Sequence, residues 1–268
     1  MEKPYDLIVC DLDGTLLNNK KQVSPYTIQV LEQLRHHVHI VFATARAPRD
    51  IQHFIKALSL DTPSICYNGA MVFCNKSGNP LVSFDIDKEI ANQLITELKD
   101  SKDVSNILVE KNNQFWVDCI DDDVTKWIEM GCEPHAMGYP STFFQESVAK
   151  IMARGECSHI IQHVQASYPD LIHTFSDSKK VWVEFLHQQA GKERALEWLT
   201  AHLEIPIERT IAFGDADNDM LLLKRAGLGV AMENASSAVK QAADYVTASN
   251  EEDGVAKLLE QIYKINRS

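Results

Sequence analysis

The chain has 268 residues, 45% of them hydrophobic and 24% charged, which is typical of globular proteins and excludes disordered, collagen-like and disulfide-scaffold classes. Its length favours two modest domains over one large one. It carries 38 acidic and 26 basic residues, and the net charge of −12 opposes nonspecific binding to nucleic acid or anionic membranes. We therefore expect neither as a partner, and a phosphorylated ligand would need local cations or a metal ion beside it.

The beginning of the chain lacks a charged-then-apolar leader, and no apolar run approaches the roughly 18 residues of a membrane span. The six cysteines are scattered without a CxxC pair, which favours reduced cysteines in the core. We therefore expect a soluble cytoplasmic protein. Its oligomeric state is left open by the sequence.

The first eighty residues alternate short apolar runs with amphipathic stretches. Strands are predicted at 6–10, 38–43 and about 63–67. Between the first two strands, Ser24 and the proline after it predict the start of a helix, and a second helix is expected after Pro48. This alternation is typical of βαβ units in a parallel sheet.

The pattern changes after a turn-rich segment at 76–80, which predicts the tip of a hairpin. From 83 to 187, helical periodicity, as in the segment from Ile90 to Leu98, mixes with alternating strand-like pieces such as 181–185. We interpret 83–187 as an inserted α+β domain of ordinary domain size.

The remainder returns to the first pattern, with alternating helices and short apolar strands. The predicted elements are a helix through Leu196 and Leu203, strands at 210–213, 228–231 and 245–246, and a final helix at 255–262. Residues 1–82 and 188–268 are therefore predicted to form one discontinuous core, a Rossmann-like, doubly wound parallel sheet of the α/β class.

Polar residues follow the ends of the predicted core strands. Ligands bind at the carboxyl ends of strands in doubly wound sheets, so we expect these residues to line one cleft. They are Asp11 and Asp13 after the first strand, Thr44 and Arg46 after the second, Asp215, Asp217, Asn218 and Asp219 after the strand at 210–213, and Lys192 in the first turn of a helix.

This set of residue types favours phosphoryl transfer. Carboxylates that converge in one cleft repel each other unless a hard divalent cation lies among them, and oxygen ligands without His or Cys suit Mg²⁺. A lysine and a threonine hydroxyl can bind the oxygens of a phosphoryl group. One aspartate can attack phosphorus, while a second, two residues further on, can transfer protons to and from the leaving oxygen and water.

The sequence resembles the haloacid dehalogenase-like superfamily of phosphohydrolases, and more closely its Cof-type branch with a class IIB cap. The resemblance extends over essentially the whole chain. The matching motifs are DLDGTLL (11–17), FATAR (42–46), YNGA (67–70), GKERAL (191–196), GDADNDM (214–220), VAMENA (230–235) and EEDGVAKLL (251–259).

The resemblance implies a role for each site residue. Asp11 would be the nucleophile that forms an aspartyl phosphate, and Asp13 the general acid and base. Thr44 and Lys192 would bind the transferring phosphoryl group. Two further residues, Asn218 near phosphate or substrate and Arg46 near the mouth of the cleft, are expected to bind substrate.

The resemblance also implies a metal site and a role for the insertion. Mg²⁺ would be held by the Asp11 carboxylate, the backbone carbonyl of Asp13 and Asp215, with Asp219 close by, directly or through water. The inserted region, 83–187, matches the cap domain in position and size, and would close over the core and select the leaving group.

Two positions depart from the family pattern. Ala45 replaces the usual glycine of T-G-R, which adds one methyl group that a residue with negative φ accommodates. Glu193 replaces the glycine that usually follows the lysine, and it is either a favourable acid in the first helical turn or a modifier of Lys192.

The sequence predicts a Mg²⁺-dependent phosphomonoesterase that acts on a small phosphorylated metabolite, such as a sugar phosphate. The alternatives are a phosphomutase that passes the phosphoryl group to a second sugar hydroxyl, a phospho-acceptor signalling module, and a catalytically silent metabolite-binding protein. The length and the insertion count against a signalling module, and the full set of catalytic residue types counts against a silent protein.

Other features are interpreted as structural. The histidines at 36, 37, 39, 159 and 163 are expected on the surface rather than at a metal. The acids at 121–123 are expected at a helix N-terminus rather than in a calcium loop. Trp116, Trp127 and the Phe143–Phe144 pair are expected in a core rather than around a ligand.

Overall fold

The computed structural model describes residues 4–138, 145–175 and 181–265, so Phe143 and Phe144 lie outside the described residues. The chain divides into two compact units, a core unit of Met1–Val82 with Gly191–Ser268 and an inserted unit of Ser83–Ala190. The predicted boundary lay at residue 187. The next residues stay with the insertion because Gln188 N–H donates to Asp170 O at 2.8 Å and Ala190 N–H to His187 O at 2.8 Å.

The first segment contains β1 (Leu7–Cys10), α1 (Pro25–Leu34), β2 (His39–Phe42), α2 (Pro48–Ala57), β3 (Ser64–Cys66), β4 (Met71–Cys74) and β5 (Asn79–Ser83). The insertion contains α3 (Lys88–Asp100), β6 (Val104–Lys111), β7 (Gln114–Val117), α4 (Asp122–Glu129), β8 (Ala136–Met137), β9 (Lys150–Gly155), α5 (Cys157–Ser167), β10 (Leu171–Phe175) and β11 (Trp182–His187). The last segment contains α6 (Lys192–His202), β12 (Thr210–Gly214), α7 (Met220–Arg225), β13 (Leu228–Ala231), α8 (Ser237–Ala242), β14 (Tyr245–Val246) and α9 (Gly254–Tyr263).

The core unit is built on a parallel sheet with the strand order β14-β13-β12-β1-β2. Alternate residues on its strands, such as Val9 and Ala212, pack against α6, α7 and α8 in one apolar cluster. Residues of the opposite parity, such as Ile8 and Ile211, are equally buried, so both faces of the sheet are covered. The predicted doubly wound α/β class is confirmed.

Local signals set the beginnings of the first two helices. Ser24 is the N-cap of α1, where its hydroxyl accepts the N–H of Thr27 at 3.0 Å. Pro48 occupies the first position of α2, where the missing N–H costs nothing. The turn predicted at 76–80 connects β4 to β5 in a small sheet with β3.

The inserted unit contains a mostly antiparallel sheet with the order β10-β11-β9-β6-β7-β8. One face packs against α3 and α5, and Trp116 is buried in this cluster. On the other face a smaller cluster packs against α4, and Trp127 contributes to it. The prediction that these two tryptophans belong to a core is confirmed.

All six cysteines are free thiols, two of them buried and four partly buried. Burial raises the pKa of the Cys10 and Cys66 thiols well above the usual range, as expected for unreactive core cysteines. In the described part of the chain, no helix combines the length and the apolar composition that crossing a bilayer requires.

Candidate active site

Three strand ends meet at one edge of the core sheet. Cys10 at the end of β1 lies beside Phe42 of β2 and Phe213 of β12. The extended backbone continues one residue further, because Asp11 N–H donates to Phe213 O at 3.0 Å and Ala43 N–H donates to Cys10 O at 2.8 Å. The polar residues that follow these strands therefore lie on neighbouring segments.

A cluster of three carboxylates lies at this edge. Asp11, Asp215 and Asp219 each offer an oxygen, and these oxygens lie within 4.8 Å of one another. Burial, with the neighbouring negative charge of Asp219, raises the pKa of Asp11 despite the opposing charge of Lys192, and raises that of Asp215 to about 6. Two buried carboxylates and one half-buried carboxylate that repel one another form a set of hard oxygen ligands that fits Mg²⁺.

Lys192 is the cation within this cluster. Its Nζ donates to Asp11 Oδ1 at 2.8 Å and to Asp219 Oδ1 at 2.7 Å, and the residue is 1% exposed. Burial alone would lower the pKa of Lys192, but the two carboxylates raise it above its usual range. One ammonium group faces three carboxylates, which leaves an excess of negative charge for a further cation.

Asp219 organises the loop around it. Its Oδ2 accepts the backbone N–H groups of Asp215 at 3.0 Å and Ala216 at 3.1 Å, while its Oδ1 accepts from Lys192. The residue is fully buried. Asp219 thus fixes both the ammonium group and the backbone that carries Asp215.

Thr15 also belongs to the site, although the sequence did not predict it as a site residue. Its Oγ1 donates to Asp215 Oδ1 at 2.8 Å, and the side chain is buried. Gly14 allows this approach because its φ is +86° and a Cβ there would lie 2.3 Å from Asp215 Oδ2. The signal was the hydroxyl residue directly after Asp-x-Asp-Gly, on the turn that meets the GDADND loop. Asn234 supports the same turn by donating from Nδ2 to Gly14 O at 2.8 Å.

The Asp13 side chain does not belong to the carboxylate cluster. It accepts from Arg46 Nε at 2.7 Å and Arg46 Nη2 at 2.8 Å, and from Lys21 Nζ at 2.7 Å. Burial opposes ionisation, but these hydrogen bonds prevail and lower the pKa of Asp13 to about 2. Arg46, expected to bind substrate, therefore binds Asp13, with its guanidinium 5.6 Å from the centre of the Phe54 ring.

Thr44 and Asn218 are joined through the turn after β3. Thr44 is 1% exposed, and its carbonyl accepts the N–H of Asn68 at 2.9 Å. Asn68 Oδ1 in turn accepts from Asn218 Nδ2 at 2.8 Å. Asn68 was also missed in the sequence analysis, although it lies within the YNGA motif.

The two departures from the family pattern have simple structural accounts. Ala45 does not have positive φ, so its methyl group is accommodated without backbone strain. Glu193 lies in the first turn of α6, and its carboxylate packs against Gly191, the residue just before the helix. The approach is so close that a Cβ on Gly191 would lie 2.5 Å from Glu193 Oε1. This position beside the helix N-terminus favours the interpretation of Glu193 as a partner of the helix dipole.

The other features considered in the sequence have structural roles. His159 and His163 contact two different acids, Asp103 at 3.5 Å and Glu97 at 2.9 Å. Asp121 caps α4 by accepting the N–H of two residues in its first turn. The histidines at 36, 37 and 39 are exposed, and among the described residues no His or Cys joins the metal-ligand geometry of the carboxylate cluster.

The chain is similar to known phosphatases over its whole length. It is 31% identical to the 5-amino-6-(5-phospho-D-ribitylamino)uracil phosphatase YitU of Bacillus subtilis, covering 98% of this chain and 99% of the relative. A haloacid dehalogenase-like hydrolase from Bacteroides thetaiotaomicron matches with a TM-score of 0.86 at 26% identity, covering 97% of this chain and 100% of that one. A subclass IIB sugar phosphatase shares the fold, with a TM-score of 0.80 at 23% identity, over 97% of this chain and 100% of its own.

The family model that matches the chain is described as haloacid dehalogenase-like hydrolase, and it spans residues 8–259. That range includes both units and the motifs at the ends of β1, β2 and β12. The expected enzyme class, a phosphoric monoester hydrolase, is confirmed by the phosphatases among its relatives. The chain belongs to the haloacid dehalogenase-like hydrolases, as a Cof-type phosphatase whose fold is shared by a subclass IIB sugar phosphatase.

Proposed function

We propose that this enzyme hydrolyses a small phosphorylated metabolite, a sugar phosphate or a related polyol phosphate, through an aspartyl phosphate formed on Asp11. The observation that carries the proposal is the position of Asp11, which lies directly after β1 within 2.8 Å of Lys192 and within a cluster of three carboxylates. A nucleophile at phosphorus needs to be ionised, and Lys192 together with a bound cation would favour the ionised form of Asp11 against the burial that raises its pKa.

The proposed reaction has two steps. An Asp11 carboxylate oxygen forms a bond to phosphorus while the bond from phosphorus to the substrate oxygen breaks, and the leaving oxygen takes a proton. Water then attacks phosphorus and loses a proton, which releases inorganic phosphate and restores the Asp11 carboxylate. Division of one displacement into two easier ones is the benefit of covalent catalysis.

Asp13 is proposed as the general acid and base of these two steps. Its carboxylate is bound by Arg46 and Lys21, and the lowered pKa keeps it ionised but makes it a weak base in this arrangement. To donate a proton to the leaving oxygen, the Asp13 carboxylate must first lose its contacts with the two cations and become protonated. We therefore propose that the bonds to Arg46 and Lys21 loosen when substrate binds.

Mg²⁺ is the proposed cofactor, and when bound it supplies positive charge against the phosphoryl oxygens. Asp11, Asp215 and the backbone carbonyl of Asp13 would hold it, with Asp219 nearby. Thr44 and Lys192 are proposed to bind the phosphoryl group. Substrate contacts are proposed for two more residues, Asn218 and Arg46.

The inserted unit is proposed to act as the cap that selects the leaving group, and the enzyme is proposed to work in the cytoplasm. The relative YitU is named for a substrate with a phosphorylated ribityl chain, which is a polyol phosphate. This name supports the inclusion of polyol phosphates beside sugar phosphates among the candidate substrates.

The test is release of inorganic phosphate from a panel of sugar, polyol and nucleotide monophosphates, with Mg²⁺ and with a chelator. We expect Mg²⁺-dependent release with a preference for sugar or polyol phosphates. Isomerised sugar phosphate without free phosphate would favour a phosphomutase instead. A stable phosphoprotein without turnover would favour a phospho-acceptor module.

A further inference from the structure

The turn after β3 has an unusual backbone. Tyr67, Asn68 and Gly69 follow one another with φ values of +51°, +53° and +91°. Positive φ is uncommon for residues other than glycine, and asparagine tolerates it better than most. Tyr67 is fully buried and Asn68 is 5% exposed, so the conformation is imposed by close packing.

This turn contacts two of the segments that carry the proposed phosphoryl-binding residues. Tyr67 N–H donates to Arg46 O at 3.1 Å, and Asn68 N–H donates to Thr44 O at 2.9 Å. Gly69 packs so closely against Gly191, just before Lys192, that a Cβ on Gly69 would lie 2.2 Å from the Gly191 carbonyl. The backbone of the turn thus sets the distance between the Thr44 and Lys192 segments.

The third segment is reached by a side chain. Asn68 Oδ1 accepts from Asn218 Nδ2 at 2.8 Å across 150 residues of sequence. A glycine at position 68 would satisfy the positive φ equally well, but it would provide no acceptor for Asn218. The backbone conformation alone therefore does not require asparagine at position 68, whereas the hydrogen bond from Asn218 does require its side-chain oxygen.

We propose that Asn68 is a positioning residue that orients the Asn218 amide toward the phosphoryl group or the substrate. An amide nitrogen carries two hydrogens, so Asn218 can donate one to Asn68 and the other to a substrate oxygen. Asn68 holds the amide in that orientation relative to Thr44 and Lys192. This inference rests on the proposed phosphatase function and deepens it.

The test compares Asn68→Gly, Asn218→Ala and the double variant by thermal unfolding, by kcat and KM with para-nitrophenyl phosphate, and by calorimetric binding of inorganic phosphate with Mg²⁺. Asn68→Gly is expected to change the Tm little, because glycine's freedom from strain at positive φ offsets its greater entropy in the unfolded chain, yet to lower kcat/KM about tenfold. The double variant is expected to be no worse than Asn218→Ala, since both changes remove one interaction.

The control is Ser59→Gly, which replaces another residue with positive φ, exposed in the same unit, and should change neither kinetic constant. Three results would each overturn the role of Asn68: an unchanged kcat/KM in Asn68→Gly, additive losses of kcat/KM in the double variant, or a loss of activity that parallels a loss of Tm. If the wild type releases no phosphate, the proposed function fails, and the role of Asn68 is then tested by binding alone. In that case, an affinity for inorganic phosphate that Asn68→Gly leaves unchanged overturns the positioning role, and a weakened affinity supports it.

Discussion

The two sheets of the molecule place buried charge differently. In the parallel core sheet, residues that follow β1 and β12 meet at one edge, where Asp11, Asp215 and Asp219 face the single ammonium group of Lys192. In the antiparallel sheet of the inserted unit, Lys150 on β9 forms a buried ion pair with Glu184 on β11 at 3.2 Å. The first arrangement gathers carboxylates after the strand ends, which suits a cation and chemistry, whereas the second places Lys150 and its buried acidic neighbours, Glu184 and Glu110, on adjacent strands within the sheet.

The largest expected effect follows from removal of the proposed nucleophile. Asp11→Asn keeps the size of the side chain but cannot attack phosphorus, so phosphate release should fall at least about a thousandfold. Since the change also removes one of three repelling carboxylates, the variant should unfold at a higher temperature than the wild type in a chelator. Phosphate release and calorimetry measure the two effects.

Asp61→Asn is the matched control for Asp11→Asn, because Asp61 lies in the same unit and its exposed side chain forms a surface ion pair with Lys76. It should leave phosphate release and Tm close to those of the wild type. Substantial turnover by Asp11→Asn would contradict the covalent mechanism.

Because parallel strands deliver their following residues to one edge, the sequence predicted much of the core site. Asp11, Thr44 and Asp215 could be placed together from strand positions alone. Side-chain orientation could not be predicted in this way. The pairing of Asp13 with Arg46, and the bond from Asn68 to Asn218, depend on turn geometry that strand order does not specify.

The antiparallel unit was less predictable from sequence. Its helices and strands could be recognised by periodicity, but Lys150 and Glu184 are 34 residues apart on strands whose pairing is set by the whole sheet. Residues on antiparallel strands do not gather at one edge, so sequence position does not indicate which charged residues meet. The Lys150–Glu184 pair therefore could not be predicted from the sequence.

Loss of the buried lysine in the inserted unit should have the next largest effect. Lys150→Met keeps the length of the side chain but leaves Glu184 buried without its ammonium partner, which should lower the free energy of unfolding by about 3 kcal/mol. Urea denaturation measures this change. Lys76→Met, which removes a lysine with 67% exposure and an ion pair at 3.3 Å, should cost less than about 1 kcal/mol. If the two variants lower the free energy of unfolding equally, burial of Lys150 does not increase the contribution of its ion pair to stability.

A smaller effect, on Mg²⁺ affinity, is expected from substitution of Thr15. This measurement tests whether the carboxylate cluster of the core unit is a cation site. Thr15→Val keeps the shape but removes the hydroxyl that donates to Asp215 at 2.8 Å, so Mg²⁺ affinity should fall about tenfold. Calorimetric titration with Mg²⁺ in the absence of substrate measures this directly. Thr15→Ser keeps the hydroxyl and should retain most of the affinity. If valine and serine variants bind Mg²⁺ equally well, the hydroxyl does not support the site.

The smallest effect is expected at Glu193, next to Lys192 in sequence. Its carboxylate lies at the N-terminus of α6, whereas Lys192 Nζ is bound to Asp11 and Asp219, so the two neighbours act on different partners. Glu193→Gln should therefore lower the free energy of unfolding by about 0.5 kcal/mol through the lost interaction with the helix dipole. Because the charge is exposed to solvent on one side, added salt should shrink this difference. The kcat should stay within about twofold of the wild type. A tenfold change in kcat would instead show that Glu193 modifies Lys192, and that an acid outside the carboxylate cluster contributes to the electrostatic potential at the core site.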